Sequence, residues 1–230
     1  MVNKKRKRKN VACERLNDEE HEELVRLLRE VDWDQVTNTY RRNVIRDDAP
    51  TTKGGKRFCR SFIMGPNMKD PLKRPSYWTE SNPELFEKLS LLMKRIDPSH
   101  QFTNITINKN LRCKAHRDKG NCGMSYIVAL GDFTGGELAV GKRRALESAN
   151  PEDEPYDKLD LHRNMVPFFG AEQTHWTLDF TGERYTCVFY NFPESHMHTV
   201  ERQLVVPKEN SRFASKLENY KKKLQAGKRK

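Results

Sequence analysis

Apolar residues fall at Leu24, Leu27, Leu28 and Val31, steps of three and one that place them on one face of a helix. Asn17 stands where the cap of that helix belongs, and Glu20, three residues on, completes a capping box. A second stripe is longer. Asn82 is its cap, Pro83 lies in its first turn, and Leu85, Phe86, Leu89, Leu92, Met93 and Ile96 carry the helical spacing up to a stop at Asp97-Pro98. From Phe102 the pattern changes to short β-type runs: F-T-N-I-T-I-N, M-S-Y-I-V-A-L, G-E-L-A-V, M-V-P-F-F, H-W-T-L-D-F, R-Y-T-C-V-F-Y-N and Q-L-V-V. Runs this short, broken by Gly-rich or polar turns, predict an antiparallel sandwich or barrel laid on helices, an α+β fold. Residues 141–158 read as a long exposed loop, polar and twice interrupted by proline. Phe213, Leu217, Tyr220 and Leu224 recur at intervals of four, three and four, which predicts a last helix docked by one face.

A chain of 230 residues holds one sizeable core with appendages. The pattern divides it into a basic tail (1–14), a helical and substrate-facing segment (15–100), a strand-rich core (101–207), and a C-terminal helix with a second basic tail (208–230). No apolar run is long enough to span a bilayer, and no apolar stretch follows the basic N-terminus, so neither a membrane-spanning nor a secreted protein is expected. The five cysteines are odd in number, scattered and without a C-x-x-C pair, which argues against a disulfide framework and against a cysteine zinc site. An intracellular, reducing compartment follows.

The net charge is +11, but residues 1–10 and 221–230 carry six Lys and Arg each, so the rest of the chain sums to −1. K-K-R-K-R-K at 4–9 has the form of a nuclear import signal or a nucleic-acid arm. Within the body, residues 41–74 hold ten basic residues against three acidic ones, interleaved with Phe58 and Phe62, and form the best surface for an anion.

The chemistry begins at H-R-D-K-G-N, residues 116–121. His116 and Asp118 are two apart, hence on one face of an extended backbone. Non-haem iron enzymes that activate oxygen hold Fe(II) with two histidines and one carboxylate, leaving positions open for co-substrate and oxygen. His175 offers the third ligand. If Thr181-Gly182 is a two-residue hairpin loop, Asp179 pairs with Arg184, Thr177 with Thr186 and His175 with Val188. His175, Arg184 and Thr186 then share a face, with Arg184 about 13 Å along the sheet from His175. A five-carbon diacid spans that gap, chelating the metal at one end and meeting the Arg184 guanidinium and the Thr186 hydroxyl at the other.

H-x-D, then G-G-E-L, then F-x-G-x-x-x-x-H with G-x-R-x-T after it, resembles the Fe(II)/2-oxoglutarate-dependent dioxygenases over roughly residues 102–192. The resemblance implies a double-stranded β-helix (jelly-roll) core, Fe(II) on His116, Asp118 and His175, and 2-oxoglutarate anchored by Arg184. It also implies the reaction, in which 2-oxoglutarate is decarboxylated to succinate while oxygen oxidises the substrate. H-R-D-K-G-N is most similar to the H-R-D-x-x-N form of the TET/JBP nucleobase oxygenases, which implies a methylated pyrimidine in nucleic acid, DNA before RNA.

A base oxidised within a duplex must be flipped out, so stacking and phosphate contacts are needed. Arg57, Phe58 and Arg60 in G-G-K-R-F-C-R-S-F are placed to supply both, and Asn121 is either a substrate contact or plain turn chemistry. Tyr126 and Asn104 lie on strands that can face the pocket, Tyr126 either as a co-substrate contact or, the commoner role of an inward tyrosine, as a core residue with a satisfied hydroxyl. Arg117 should point away from the metal into a structural salt bridge, and His100, His196 and His198 should be exposed. Two rival readings stand: a protein hydroxylase resembling the prolyl hydroxylases, which share G-G-E-L and H…G-x-R, and a non-catalytic nucleic-acid-binding relative, disfavoured by the complete ligand set. Nothing in the sequence sets the oligomeric state.

Overall fold

The computed structural model describes residues 14–70, 72–141, 153 and 155–192. The last helix, the Q-L-V-V strand, His196, His198, most of both tails and most of the 141–158 segment lie outside the described residues. Helix α1 (Asp18–Arg29) has the expected box: Asn17 Oδ1 accepts from the Glu20 N–H at 2.8 Å, and the Glu20 carboxylate accepts from the Asn17 N–H at 3.1 Å. Such a cap contributes about 1 kcal/mol. A short helix, α2 (Tyr77–Ser81), ends where α3 (Pro83–Ile96) begins. Asn82 is the N-cap residue of α3, as expected, but its side chain makes no capping bond; its Nδ2 donates backward to the Trp78 carbonyl at 3.1 Å.

Among the described residues, nine strands follow the chain order β1 (Glu14–Arg15), β2 (Arg60–Met64), β3 (Asn104–Lys109), β4 (Cys122–Gly135), β5 (Leu138–Gly141), β6 (Tyr156–Leu159), β7 (Asn164–Phe168), β8 (His175–Thr177) and β9 (Phe180–Asn191). They form a six-stranded sheet, β1-β7-β4-β9-β3-β2, and a three-stranded sheet, β6-β5-β8, antiparallel throughout. A bridge between His116 and His175 extends the small sheet by one more segment. This is the α+β double-stranded β-helix with its N-terminal helices. The N-terminal segment is integral to it, since β2 pairs with β3 over five residues.

Alternation sorts the large sheet into two faces. Tyr126, Val128 and Leu130 of β4, with Tyr185, Cys187 and Phe189 of β9, meet Leu24, Leu28, Leu89 and Met93 of the helices in one buried cluster. Ile127, Ala129, Val166 and Phe168, on the other face, meet Leu138 and Val140 of the small sheet. No helix among the described residues is long and apolar enough to cross a membrane.

Two expectations fail here. Residues 156–158 of the expected exposed loop belong to strand β6, paired with β5 from Leu138↔Leu159 to Gly141↔Tyr156. And there is no β8–β9 hairpin. β8 pairs with β5, while β9 begins at Phe180 and runs against β4, with Thr181 opposite Thr134 and Gly182 opposite Phe133. Gly182 has φ +100°, and a Cβ there would lie 2.3 Å from the Asp132 carbonyl, so this glycine marks two backbones in close approach rather than a turn.

Candidate metal centre

The histidines come from facing segments of the small sheet. His116 N–H donates to the His175 carbonyl at 3.0 Å and His175 N–H donates back at 2.9 Å, which sets the two rings side by side with centroids 4.3 Å apart. Asp118 is fixed by its own N–H, donated to the Gly170 carbonyl at 2.8 Å. A Cβ on Gly170 would stand 3.2 Å from Asp118 Oδ2 and 2.9 Å from the Phe168 ring, which gives the glycine of F-x-G a physical reason. The Asn121 N–H closes a turn onto the Asp118 carbonyl at 2.9 Å, so the turn role of Asn121 is the one seen.

His116 Nε2 lies 3.6 Å from Asp118 Oδ1, and His175 Nε2 lies 3.6 Å from Asp118 Oδ2. One ligand atom from each of the three residues lies within 4.8 Å of the others. Each imidazole is oriented from behind: His116 Nδ1 is 2.7 Å from the Lys114 carbonyl and His175 Nδ1 is 3.0 Å from the Gln173 carbonyl. A carbonyl can only accept, so Nδ1 carries the proton in each ring and Nε2 turns its lone pair to the centre. Burial, reinforced by His175, pushes His116 down to about 4 against the opposing pull of Asp118, so its ring is neutral near neutral pH. Two imidazoles and a carboxylate converging this way fit Fe(II) in the facial arrangement.

Arg184 and Thr186 line the same pocket, together with Arg41, Asn108, Cys113 and Val188. Both come from the inner face of β9, across the pocket from β8, so the expected grouping holds although the expected hairpin does not. Arg184 is 3% exposed; its Nη2 donates to the Gly136 carbonyl at 2.7 Å and its Nε has no partner. Burial lowers it to about 10, which leaves it charged at neutral pH. The Thr186 hydroxyl oxygen accepts from Asn108 Nδ2 at 2.9 Å, so its proton remains for a ligand. A buried guanidinium with an unused donor beside a free hydroxyl proton fits a carboxylate, which is what the distal end of 2-oxoglutarate offers.

Other expected residues fall elsewhere. Tyr126 is not a co-substrate contact: it sits on the helix-facing side of β4, its hydroxyl donating to Asp97 Oδ2 at 2.7 Å. Asn104 is buried, but its Nδ2 donates to the Met64 and Pro66 carbonyls at the end of β2. His100 is half-buried against the Tyr126 ring at 4.7 Å rather than exposed. Arg117 makes no ion pair among the described residues, and its buried Nε is unpartnered. Arg57 and Arg60 pair with Asp47 (2.8 Å) and Asp34 (3.1 Å), and neither these nor Phe58 line the pocket, because the 51–57 turn and β2 lie at the sheet edge. The sequence reading missed Arg41, Asn108 and Gly136. Only the G-G-E-L motif and the cluster of basic residues pointed near them.

No family model matches the chain, and no curated protein matches it. Among solved structures it is similar to a Trichoplax adhaerens prolyl hydroxylase in complex with a hypoxia inducible factor oxygen degradation domain peptide fragment (12% identity, 79% of this chain and 81% of that one, TM-score 0.49). It is also similar to NgTET1 in complex with 5mC DNA (14%, 79% and 70%, TM-score 0.48) and to a Pseudomonas putida prolyl-4-hydroxylase (14%, 79% and 92%, TM-score 0.45).

Proposed function

We propose that this chain is an Fe(II)/2-oxoglutarate-dependent dioxygenase that oxidises a methylated pyrimidine, such as 5-methylcytosine or thymine, in nucleic acid. The observation that carries the reading is the union in one pocket of the His116, Asp118 and His175 ligand set with the buried Arg184 guanidinium. When bound, iron and 2-oxoglutarate supply the oxidation of a C–H bond by molecular oxygen, with succinate and carbon dioxide as the other products. The chain holds and orients. The backbone carbonyls of Lys114 and Gln173 keep both imidazoles in the ligating tautomer, and Gly170 leaves room for the Asp118 carboxylate. Arg184 and Thr186 would hold the far carboxylate of 2-oxoglutarate and so orient the diacid in the pocket. Phe168, Ile127, Leu138 and Val188 line the cavity with apolar surface and exclude water.

The nucleobase substrate is supported by H-R-D-K-G-N, by the excess of basic residues in 41–74 and by the two basic tails, with the 4–9 block serving nuclear import or DNA contact. One observation favours the second reading, a protein side-chain hydroxylase of prolyl type: Arg57 and Arg60 are engaged by carboxylates and stand outside the pocket. In that case the tails are addresses. The test loads the protein anaerobically with Fe(II), admits air with 2-oxoglutarate, and follows methylated DNA, RNA and peptides by mass spectrometry. A gain of one oxygen on a pyrimidine methyl group, with succinate formed in step, is the expected outcome; the same gain on a peptide alone sinks the nucleobase reading.

A further inference from the structure

Among the described residues that line the pocket, Arg41 is the one charged group to which the reaction above gives no task. It is built into place. Its carbonyl accepts from the Val44 and Ile45 N–H groups at 2.9 and 3.0 Å, which starts a turn there, and the Asn38–Cys59 bridge ties the preceding residues to the approach of β2. Its Nη1 donates to Ser61 Oγ at 3.1 Å and to Asn108 Oδ1 at 3.0 Å, side chains on β2 and β3. The same Asn108 holds Thr186, so Arg41 and the diacid site are connected. Arg41 makes no ion pair among the described residues, although most of the arginines around it do.

Charge decides what it awaits. The two charges of Fe(II) and the one of Arg184 are matched by Asp118 and by the two carboxylates of 2-oxoglutarate, so the loaded centre is neutral without Arg41. A half-buried guanidinium is then left without a counter-ion, and an anionic group on the substrate recovers the cost of its desolvation. Tyr40, on the same turn, is 93% exposed, and Arg42 is exposed with no ion pair among the described residues. An exposed ring on the residue next in sequence to a pocket cation, with an exposed second cation on the residue after it, suits a base and its phosphates better than an acidic peptide.

We propose that Arg41 is a specificity residue that binds the phosphate next to the base entering the pocket, with Tyr40 as a stacking platform. This rests on the nucleobase reading. The test uses the full chain loaded anaerobically with Fe(II) and 2-oxoglutarate, and a short single-stranded DNA containing 5-methylcytosine as probe. Lys94→Gln, on the exposed face of α3 beyond the large sheet, removes the same charge away from the pocket. Arg41→Gln should weaken oligonucleotide binding by about ten-fold or more, the size of a lost charge-assisted bond. Lys94→Gln should change it by less than about two-fold, and calorimetric affinity for 2-oxoglutarate should hold in both. Arg41→Lys, which keeps the charge, should recover part of the loss and shows that the Gln effect is not unfolding. Equal losses in Arg41→Gln and Lys94→Gln would overturn the proposal, as would a loss confined to 2-oxoglutarate. If the wild type oxidises the oligonucleotide and Arg41→Gln binds it unchanged, only the phosphate seat fails. If the wild type neither binds nor oxidises it but modifies a peptide, the nucleobase reading fails with it.

Discussion

A methyl group added at Gly136 would stand 2.7 Å from Arg184 Nε and 3.0 Å from its Cδ, and the residue's φ of +75° already excludes an ordinary side chain, so this glycine is a condition for where the guanidinium lies. Gly136→Ala should therefore act like a change in Arg184 itself. Affinity for 2-oxoglutarate by calorimetry should fall about ten-fold or more while Fe(II) binding is kept, and Arg184→Lys, which retains charge but loses the planar fork, should do the same. If Gly136→Ala binds the diacid normally, Arg184 is not its anchor. His175→Ala separates the metal from this: iron binding and succinate formation should both be lost, with the fold kept and the melting temperature lowered only by the lost packing of the buried imidazole on Phe168. His116, Asp118, His175, Arg184 and Thr186 were legible in the sequence because a spacing of two or a short motif carries each. Tyr126 was not, because alternation says that a strand has two faces without saying which of them looks into the pocket. Arg41 was not because local sequence shows its charge but not the Ser61 and Asn108 side chains that aim it.

Strands β3, β4, β5, β7, β8 and β9 were read near their places, and helices α1 and α3 from spacing and punctuation, whereas β2 and the short α2 were not read. Pairing failed as well. Thr181-Gly182 has the composition of a tight turn, yet the chain needs its glycine for a backbone contact within the β4–β9 ladder, and the passage from one sheet to the other falls just before it. β6 escaped because Y-D-K-L has no buried alternation; it is held by the ladder to β5. The helix layer carries a pH dependence of its own. His21, on α1, is 8% exposed, its Nε2 accepts from the Gly131 N–H at 3.2 Å, and its Nδ1 has no partner. Burial first, then the neighbouring Arg163 and His162, lowers its pKa below the ordinary value. Below about pH 6.5 the unfolded chain takes up a proton that the folded chain refuses, so stability is full above that pH and is lost as pH falls toward the lower folded value. His21→Gln, which can still accept from Gly131, should make the melting temperature of the metal-free protein less sensitive between pH 7 and 5. An unchanged slope would show that His21 does not contribute to it.

Removing residues 1–10 and 221–230 takes away twelve positive charges and leaves a chain whose net charge is −1. Affinity for DNA in the full chain should accordingly fall steeply with salt, by about 0.7 to 0.9 in the logarithmic slope for each phosphate neutralised, and the trimmed chain should show a much shallower slope. Salt alone therefore cannot identify the recognising surface, since the tails contribute to any anionic polymer. The trimmed chain can. If the pocket reads a base and its phosphate, that protein still oxidises single-stranded methylated DNA at low salt. Reversing both Arg57 and Arg60 to Glu should then matter little, within about three-fold, because each is already engaged by an aspartate and neither reaches the cavity. Arg41→Gln in the same trimmed chain should remove most of the remaining binding, measured by anisotropy at matched ionic strength. Should the double reversal cost as much as Arg41→Gln, recognition belongs to the basic edge outside the pocket and the turn at Arg41 is incidental to it.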